Sequence, residues 1–210
     1  MSSASHSIPL LARATSLLMG VLLLAAPPAR QGVSKAPPAS PSQAVVFFPP
    51  GAIDGWENFF SQYLTYFNEP SLLAAARDSS ALSYRLESMT GRKPKILAVR
   101  VSINSDGSAR VIAVEQSGTP PALHRTEHGV PAAEVKKFSQ LVDKADFWSM
   151  RAIESGKGFY ADSDTWVFEG VRNGTYHVVV RDGGQSGPFV DMVLFLVRDL
   201  VKHDESDIPH

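Results

Sequence analysis

Three side chains with useful chemistry fall on one face of a predicted hairpin. Its strands are DTWVFEGV and TYHVVVRD, and Asn173-Gly174 between them favours a two-residue turn in which both positions adopt positive φ. In that register Trp166 lies opposite Arg181, and Gly170, which has no side chain, leaves room for the imidazole of the opposite His177. We expect Arg181 to form a cation–π contact with the Trp166 ring, so the three residues could grip a ligand or peptide.

The same pattern has a simpler interpretation, in which this face is solvated and carries an amphipathic stripe. Alternation along the strands sends Glu169 and Tyr176 to the opposite face as diagonal neighbours. The hairpin therefore predicts either a contact group of Trp166, His177 and Arg181 or an ordinary sheet surface.

A second candidate is the segment His124-Arg125-Thr126-Glu127-His128, which has the H-x-x-E-H spacing of some zinc peptidases. On a helix, two histidines one turn apart converge on zinc while the glutamate activates water. Pro121 before the segment and Gly129 with Pro131 after it leave little chain for a long helix, so we expect a polar loop here. A zinc-dependent hydrolase through His124, Glu127 and His128 is the alternative hypothesis.

The residue types and motifs of this chain do not support nucleophilic catalysis by a thiol or by a serine in the usual motif. The chain has no cysteine, which excludes thiol nucleophiles and disulfides, and it has no G-x-S-x-G nucleophile motif. Lysine and arginine number 20 against 21 acidic residues, without long blocks of one sign, which argues against nucleic acid as a partner. We therefore predict neither a cofactor nor a metal.

The elements that position these residues follow from periodicity. Apolar residues at helical spacing predict helices over 56–67, after Pro131 and over 188–202, whereas period-two alternation predicts strands at 82–89 and 95–103. Asp106-Gly107 predicts a turn into a third strand. The order α-β-β-β-α-β-β-α predicts an α+β fold, a single antiparallel sheet of about five strands with helices packed on one face.

The N-terminal region predicts export. Arg13 precedes the apolar run LLMGVLLLAA, which has the length of a signal-peptide core and is too short to span a bilayer. Residues 1–26 are accordingly predicted as a secretory signal, although Pro27-Pro28 disfavours cleavage and makes an uncleaved membrane anchor the alternative. Residues 27–44, rich in proline, alanine and serine, are predicted as a tether, 45–203 as the folded domain and 204–210 as a disordered tail.

The hairpin also carries the pattern W-x-x-E-G-x-x-x-G-x-Y-H-x-x-x-R. Its fixed positions are Trp166, Glu169, Gly170, Gly174, Tyr176, His177 and Arg181. With N-E-P-S-L at 68–72 and S-Y-R-L at 83–86, it resembles small uncharacterised exported proteins of Gram-negative bacteria. The resemblance implies export and a single domain, and it implies no activity.

Together these patterns favour a non-catalytic exported domain, periplasmic or extracellular. It would bind an envelope protein or a small ligand through Trp166, His177 and Arg181. A purely structural envelope protein is the third hypothesis, and contact with a membrane is expected only through an uncleaved signal.

Overall fold

The computed structural model describes residues 44–90, 95–154, 164–183 and 186–202, all within the compact unit that spans residues 43–210. The predicted signal peptide, nearly all of the predicted tether and the predicted tail lie outside the described residues. Among the helices of the described ranges, none has the length and apolar character needed to cross a bilayer.

The elements follow the chain in the order helix, helix, four strands, helix, two strands, helix. Their bounds are α1 Glu57–Tyr66, α2 Leu72–Ala75, β1 Leu82–Met89, β2 Ile96–Ile103, β3 Ala109–Ser117, β4 Ala122–Val130, α3 Ala132–Lys144, β5 Thr165–Arg172, β6 Thr175–Asp182 and α4 Pro188–Phe195. A short 3-10 helix, Phe147–Ser149, follows α3, and a π-helical segment, Leu196–Leu200, continues α4.

All six strands form one antiparallel sheet in the order β4-β3-β2-β1-β5-β6. The α+β class and the antiparallel sheet are therefore confirmed. The sheet has one strand more than the expected five, because the segment predicted as a polar loop is β4. Its side chains are polar because β4 is an edge strand, and most of them face solvent.

The helices pack on both faces of the sheet, which corrects the expectation of one covered face. On one side, named the α1 face here, Phe60 and Leu64 of α1 pack on Val167 and Val178. On the other side, the α3 face, α3 and α4 cover the largest apolar cluster of the described residues. Apolar residues of the segment 47–53 join the aromatic stripe of α1 in covering the α1 face, and α3 and α4 cover the other face.

The turn of the second hairpin has the predicted conformation. Asn173 has φ 52° and Gly174 has φ 74°, the two positive values that a type I′ turn requires. Local turn chemistry thus fixes how β5 and β6 pair.

Candidate ligand pocket beside Arg181

The pairing of β5 with β6 places the hairpin residues as their spacing predicts. Trp166 is opposite Arg181, Gly170 is opposite His177 and Glu169 is opposite Val178. Trp166 and Arg181 therefore lie on the α3 face of the sheet. That face is covered by α3 and α4 and is not solvated, so the interpretation as an exposed surface stripe is wrong.

Trp166 belongs to the core. Only 1% of its surface is exposed, and it lies in the cluster that α3 and α4 cover. Gly183 approaches the indole so closely that a Cβ there would lie 3.1 Å from its Nε1. A ring enclosed in this way positions β5 and is not accessible to a ligand.

His177 packs among aromatic rings. Its imidazole lies 4.9 Å from the Phe147 ring and 6.2 Å from the Trp148 ring, both measured between centroids. The space above Gly170, which we expected the imidazole to use, is filled from the 3-10 helix instead, since a Cβ at Gly170 would lie 2.7 Å from Phe147 Cε1. Burial lowers the pKa of His177, so the neutral form is favoured.

Arg181 is the one member of the predicted group that reaches a pocket. Its guanidinium lies over the Phe189 ring, 5.8 Å from the centroid, and not over Trp166 as predicted. Nη1 donates to the carbonyls of Val180 (2.7 Å) and Ala152 (3.3 Å), and Nη2 donates to that of Arg151 (2.9 Å). These carbonyls fix the plane of the guanidinium beneath the start of α4.

The charge of Arg181 is only partly balanced. The residue is 7% exposed, its Nε–H finds no hydrogen-bond acceptor in the described part of the chain, and the carboxylate oxygen Oε1 of Glu154 is 3.8 Å from Nε. The Glu154 side chain is itself 40% exposed, so water weakens its attraction. Burial accordingly lowers the pKa of Arg181, and Glu154 offsets this only in part.

Beside this guanidinium lies a half-enclosed cavity of about 180 Å³. Its apolar wall consists of Ala145, Met150, Pro188 and Phe189, and its polar lining includes Arg181, Ser186 and the acidic residues Glu154 and Asp182. The cavity therefore combines a buried cation with an apolar surface.

The N-terminus of α4 forms part of the same cavity. Gly187 is the N-cap residue, no side chain caps the helix, and Pro188 follows at its first position. The N–H groups of Phe189 and Val190 are at the helix positions that have no intrahelical acceptor, and both residues line the cavity. An uncapped helix start next to an arginine is a favourable environment for an anion.

The strand geometry of β4 does not support the zinc hypothesis. His124 and His128 lie on the α3 face of the sheet while Glu127, on the opposite face, pairs with Arg110. Residues four apart on a strand are about 13 Å apart, too far to share a metal. His128 Nε2 instead lies 2.6 Å from the Leu200 carbonyl, and in the described ranges no group of three His, Asp or Glu residues could hold a metal ion.

A cluster of charged residues that sequence patterns did not single out lies buried on the α1 face. Arg85 of β1 is fully buried, and its guanidinium contacts Glu169 directly opposite on β5 and Glu87 two residues along β1. Nη1 donates to the Pro70 carbonyl at 2.7 Å, and the Phe47 ring lies over the guanidinium. The cluster is closed to solvent and holds the segments before and after α1 on the sheet.

Ionisation within this cluster is strongly coupled. Burial, followed by the charge of Glu169, raises the pKa of Glu87 well above its ordinary value. Burial alone would lower the pKa of Arg85, but neighbouring carboxyl groups, with Glu169 the strongest, raise it above the ordinary value. Burial beside Glu169 thus favours the protonated form of Glu87, next to the ion pair of Arg85 and Glu169. Period-two alternation in β1 places Arg85 and Glu87 on one face of the strand, but it does not show that this face is buried.

No family model matches this sequence, and a search of the curated proteins finds no significant match. The resemblance to small exported proteins of Gram-negative bacteria therefore stays a prediction.

Proposed function

We propose that this chain is a non-catalytic, exported binding domain whose pocket beside Arg181 holds a carboxylate attached to a small apolar group. The observation that carries the proposal is the buried Arg181 guanidinium, with its unsatisfied Nε–H, in a cavity that also contains the uncapped start of α4. Both features are stabilised when an anion is close.

The size of the cavity suggests the size of the ligand. About 180 Å³ is below the usual volume of sites for drug-sized molecules, which begins at roughly 300 Å³. A short-chain or aromatic carboxylic acid, or the last residue of a peptide with its free carboxylate, fits this chemistry. In either case the carboxylate would approach Arg181 and α4 while the apolar part packs on Phe189 and Met150.

Trp166 and His177, the other members of the predicted contact group, have a supporting role in this proposal. Trp166 packs in the core directly opposite Arg181, on the neighbouring strand, and His177 packs on the 3-10 helix that leads to Met150. Export rests on the apolar N-terminal run that follows Arg13.

Binding can be measured by calorimetry or by chemical shift changes of the Phe189 and Val190 amides. The probes are 3-phenylpropanoate and its neutral amide, and a short peptide with a free or an amidated C-terminus. We expect the carboxylate of each pair to bind at least about tenfold more tightly than its amide. Equal binding of acid and amide, or no binding of either at millimolar concentration, would contradict the proposal and favour a structural role.

Three variants test where the ligand binds. Arg181→Met should abolish the preference for acid over amide, whereas Arg110→Met, a change at an exposed arginine on the other face of the sheet, should preserve it. Glu154→Gln should tighten carboxylate binding, because Glu154 competes for the Arg181 guanidinium. Thermal unfolding of each variant checks that the fold is intact.

A further inference from the structure

The two edges of the sheet differ in how far they are paired. The β6 edge is partly covered, because Val180 N–H donates to the Ala152 carbonyl at 2.7 Å and Ile153 forms a parallel bridge with Val180. The β4 edge pairs with β3 on one side over its whole length, and the described residues place no strand on its other side. Strand edges of this length are templates for another strand.

The backbone groups of β4 that point to the open side can be identified from the hydrogen-bonding pattern. Asn104 N–H donates to Ser108 O at the turn between β2 and β3, and Thr90 N–H donates to Lys95 O at the start of the β1–β2 pair. Bonded and non-bonded pairs alternate along antiparallel strands. The same alternation continues through β3 to β4. On β4 it directs away from β3, to the open side, the N–H and C=O groups of Leu123, Arg125, Glu127 and Gly129.

The side chains at these outward positions on one copy of β4 are complementary to those on a second copy. Leu123, Arg125, Glu127 and Gly129 share the α1 face of the sheet, and the charged pair has opposite signs two residues apart. If two copies of β4 pair antiparallel about a two-fold axis at Thr126, the Arg125 of each copy lies directly opposite the Glu127 of the other. The exposed Leu123 then lies over the bare backbone of Gly129.

The contacts within one chain leave these charges available. The Arg125 side chain is 43% exposed, and Nη1 is 3.7 Å from Glu69 Oε1 and 3.5 Å from the Phe67 carbonyl, both long contacts. Glu127 pairs with Arg110, and their side chains are 41% and 60% exposed. Glu127 can therefore accept a second cation without desolvating a buried pair.

We propose that the β4 edge is a dimer interface at which a second copy of this chain pairs antiparallel, in the register centred on Thr126, so that the two sheets become continuous. Symmetric pairing is the commonest form of self-association, and here it satisfies the open backbone groups and two inter-copy ion pairs at once. This interface is on the strand farthest from β6 and does not depend on the Arg181 pocket.

Sedimentation velocity on the purified chain from about 1 µM to about 1 mM tests the proposal. We expect a reversible monomer–dimer equilibrium that weakens in about 1 M salt, where charges are screened within about 3 Å. Arg125→Glu brings like charges together at both ion pairs, and so does Glu127→Arg. Each variant alone should dimerise at least about tenfold more weakly than the natural chain.

Mixing the two variants gives the decisive measurement. One molecule of each restores both opposite-charge pairs, so an equimolar mixture should form a heterodimer with near-natural affinity, while the fold of each molecule stays as it was alone. A natural chain that is monomeric throughout the range would overturn the proposal, and so would a dimer that is indifferent to the swaps or a mixture that fails to pair. A monomer whose β4 amides gain protection from hydrogen exchange only with an unrelated extended peptide would assign the edge to a foreign strand.

Discussion

Tyr176 donates a hydrogen bond of 2.6 Å from its hydroxyl to Oε2 of Glu169, its diagonal neighbour across the β5–β6 hairpin. The other oxygen of that carboxylate accepts hydrogen bonds from Arg85. Glu169 is fully buried, so these donors replace the water that an exposed carboxylate would have. Burial and the charge of Glu169 raise the pKa of Tyr176, which keeps the hydroxyl protonated as a donor.

Tyr176→Phe should destabilise the fold by about 2 kcal/mol, because a buried carboxylate loses a charge-assisted hydrogen bond. Tyr66→Phe is the matched control, since Tyr66 is 55% exposed on α1, and it should change the free energy of unfolding very little. Urea unfolding at neutral pH measures both. Equal effects of the two changes would show that the bond to Glu169 contributes nothing.

Glu87→Gln should make the protein more resistant to alkaline conditions. The pKa of Glu87 is raised in the folded state, so the folded protein keeps this proton at pH values where the unfolded chain has lost it. The resulting contribution to stability is fully present below the ordinary pKa of 4.5 and is lost as the pH rises through the folded-state pKa. Glutamine is neutral at every pH and escapes this loss. The free energy of unfolding is measured for both proteins at several pH values from 4 to 9. We expect the difference in favour of the variant to grow by up to about 1.4 kcal/mol per pH unit.

Glu134→Gln is the control for that series, because Glu134 lies on the exposed side of α3 in an ion pair with Lys137. It should leave the pH dependence unchanged. Parallel curves for Glu87→Gln and the natural chain would mean that Glu87 is ionised in the folded state.

Gly170→Ala should cost about 1 to 3 kcal/mol, because the new Cβ would lie 2.7 Å from Phe147 Cε1 and 3.1 Å from Tyr84 Cδ1, inside a packed cluster. Gly129→Ala is the matched control at another strand glycine, since the nearest atom to the new Cβ would be the Ala109 carbonyl oxygen at 4.0 Å. We expect that change to be tolerated. Thermal unfolding at low protein concentration compares the two, and a stable Gly170→Ala variant would be inconsistent with the described packing.

His177 should make the protein sensitive to acid. Its folded-state pKa is lowered by burial, so in acid the unfolded chain binds the proton more readily than the folded one. Stability should therefore fall as pH drops below the ordinary value of 6.5 and level off below the folded-state pKa. His177→Gln should remove this component, whereas His124→Gln, at an exposed edge position, should retain it. Identical acid profiles for the two variants would refute the assignment to His177.

Local patterns were sufficient to predict the elements and one strand pairing. The period-two alternation of β1, β2, β3 and β5 and the Asn173-Gly174 turn act within a few residues, so the Trp166–Arg181 and Gly170–His177 pairs could be read from the sequence. The same alternation failed at β4, where polar residues on both faces resemble a loop. An edge strand at the surface needs no apolar side, and only its pairing with β3 distinguishes it.

The sequence by itself determined that thiol nucleophiles and disulfides are excluded, because the chain has no cysteine. It also determined the apolar stripe of α1, the alternation along most strands and the register of the β5–β6 hairpin, because each of these depends on residues close in the chain. Only the tertiary structure decided that β1 lies beside β5, which buries Arg85 against Glu169 although they are 84 residues apart. It also decided that α3 and α4 cover the face of Trp166 and His177 and that Arg181 meets the start of α4. These contacts arise from which surfaces pack together, and burial can turn a charge that looks solvated into part of the core.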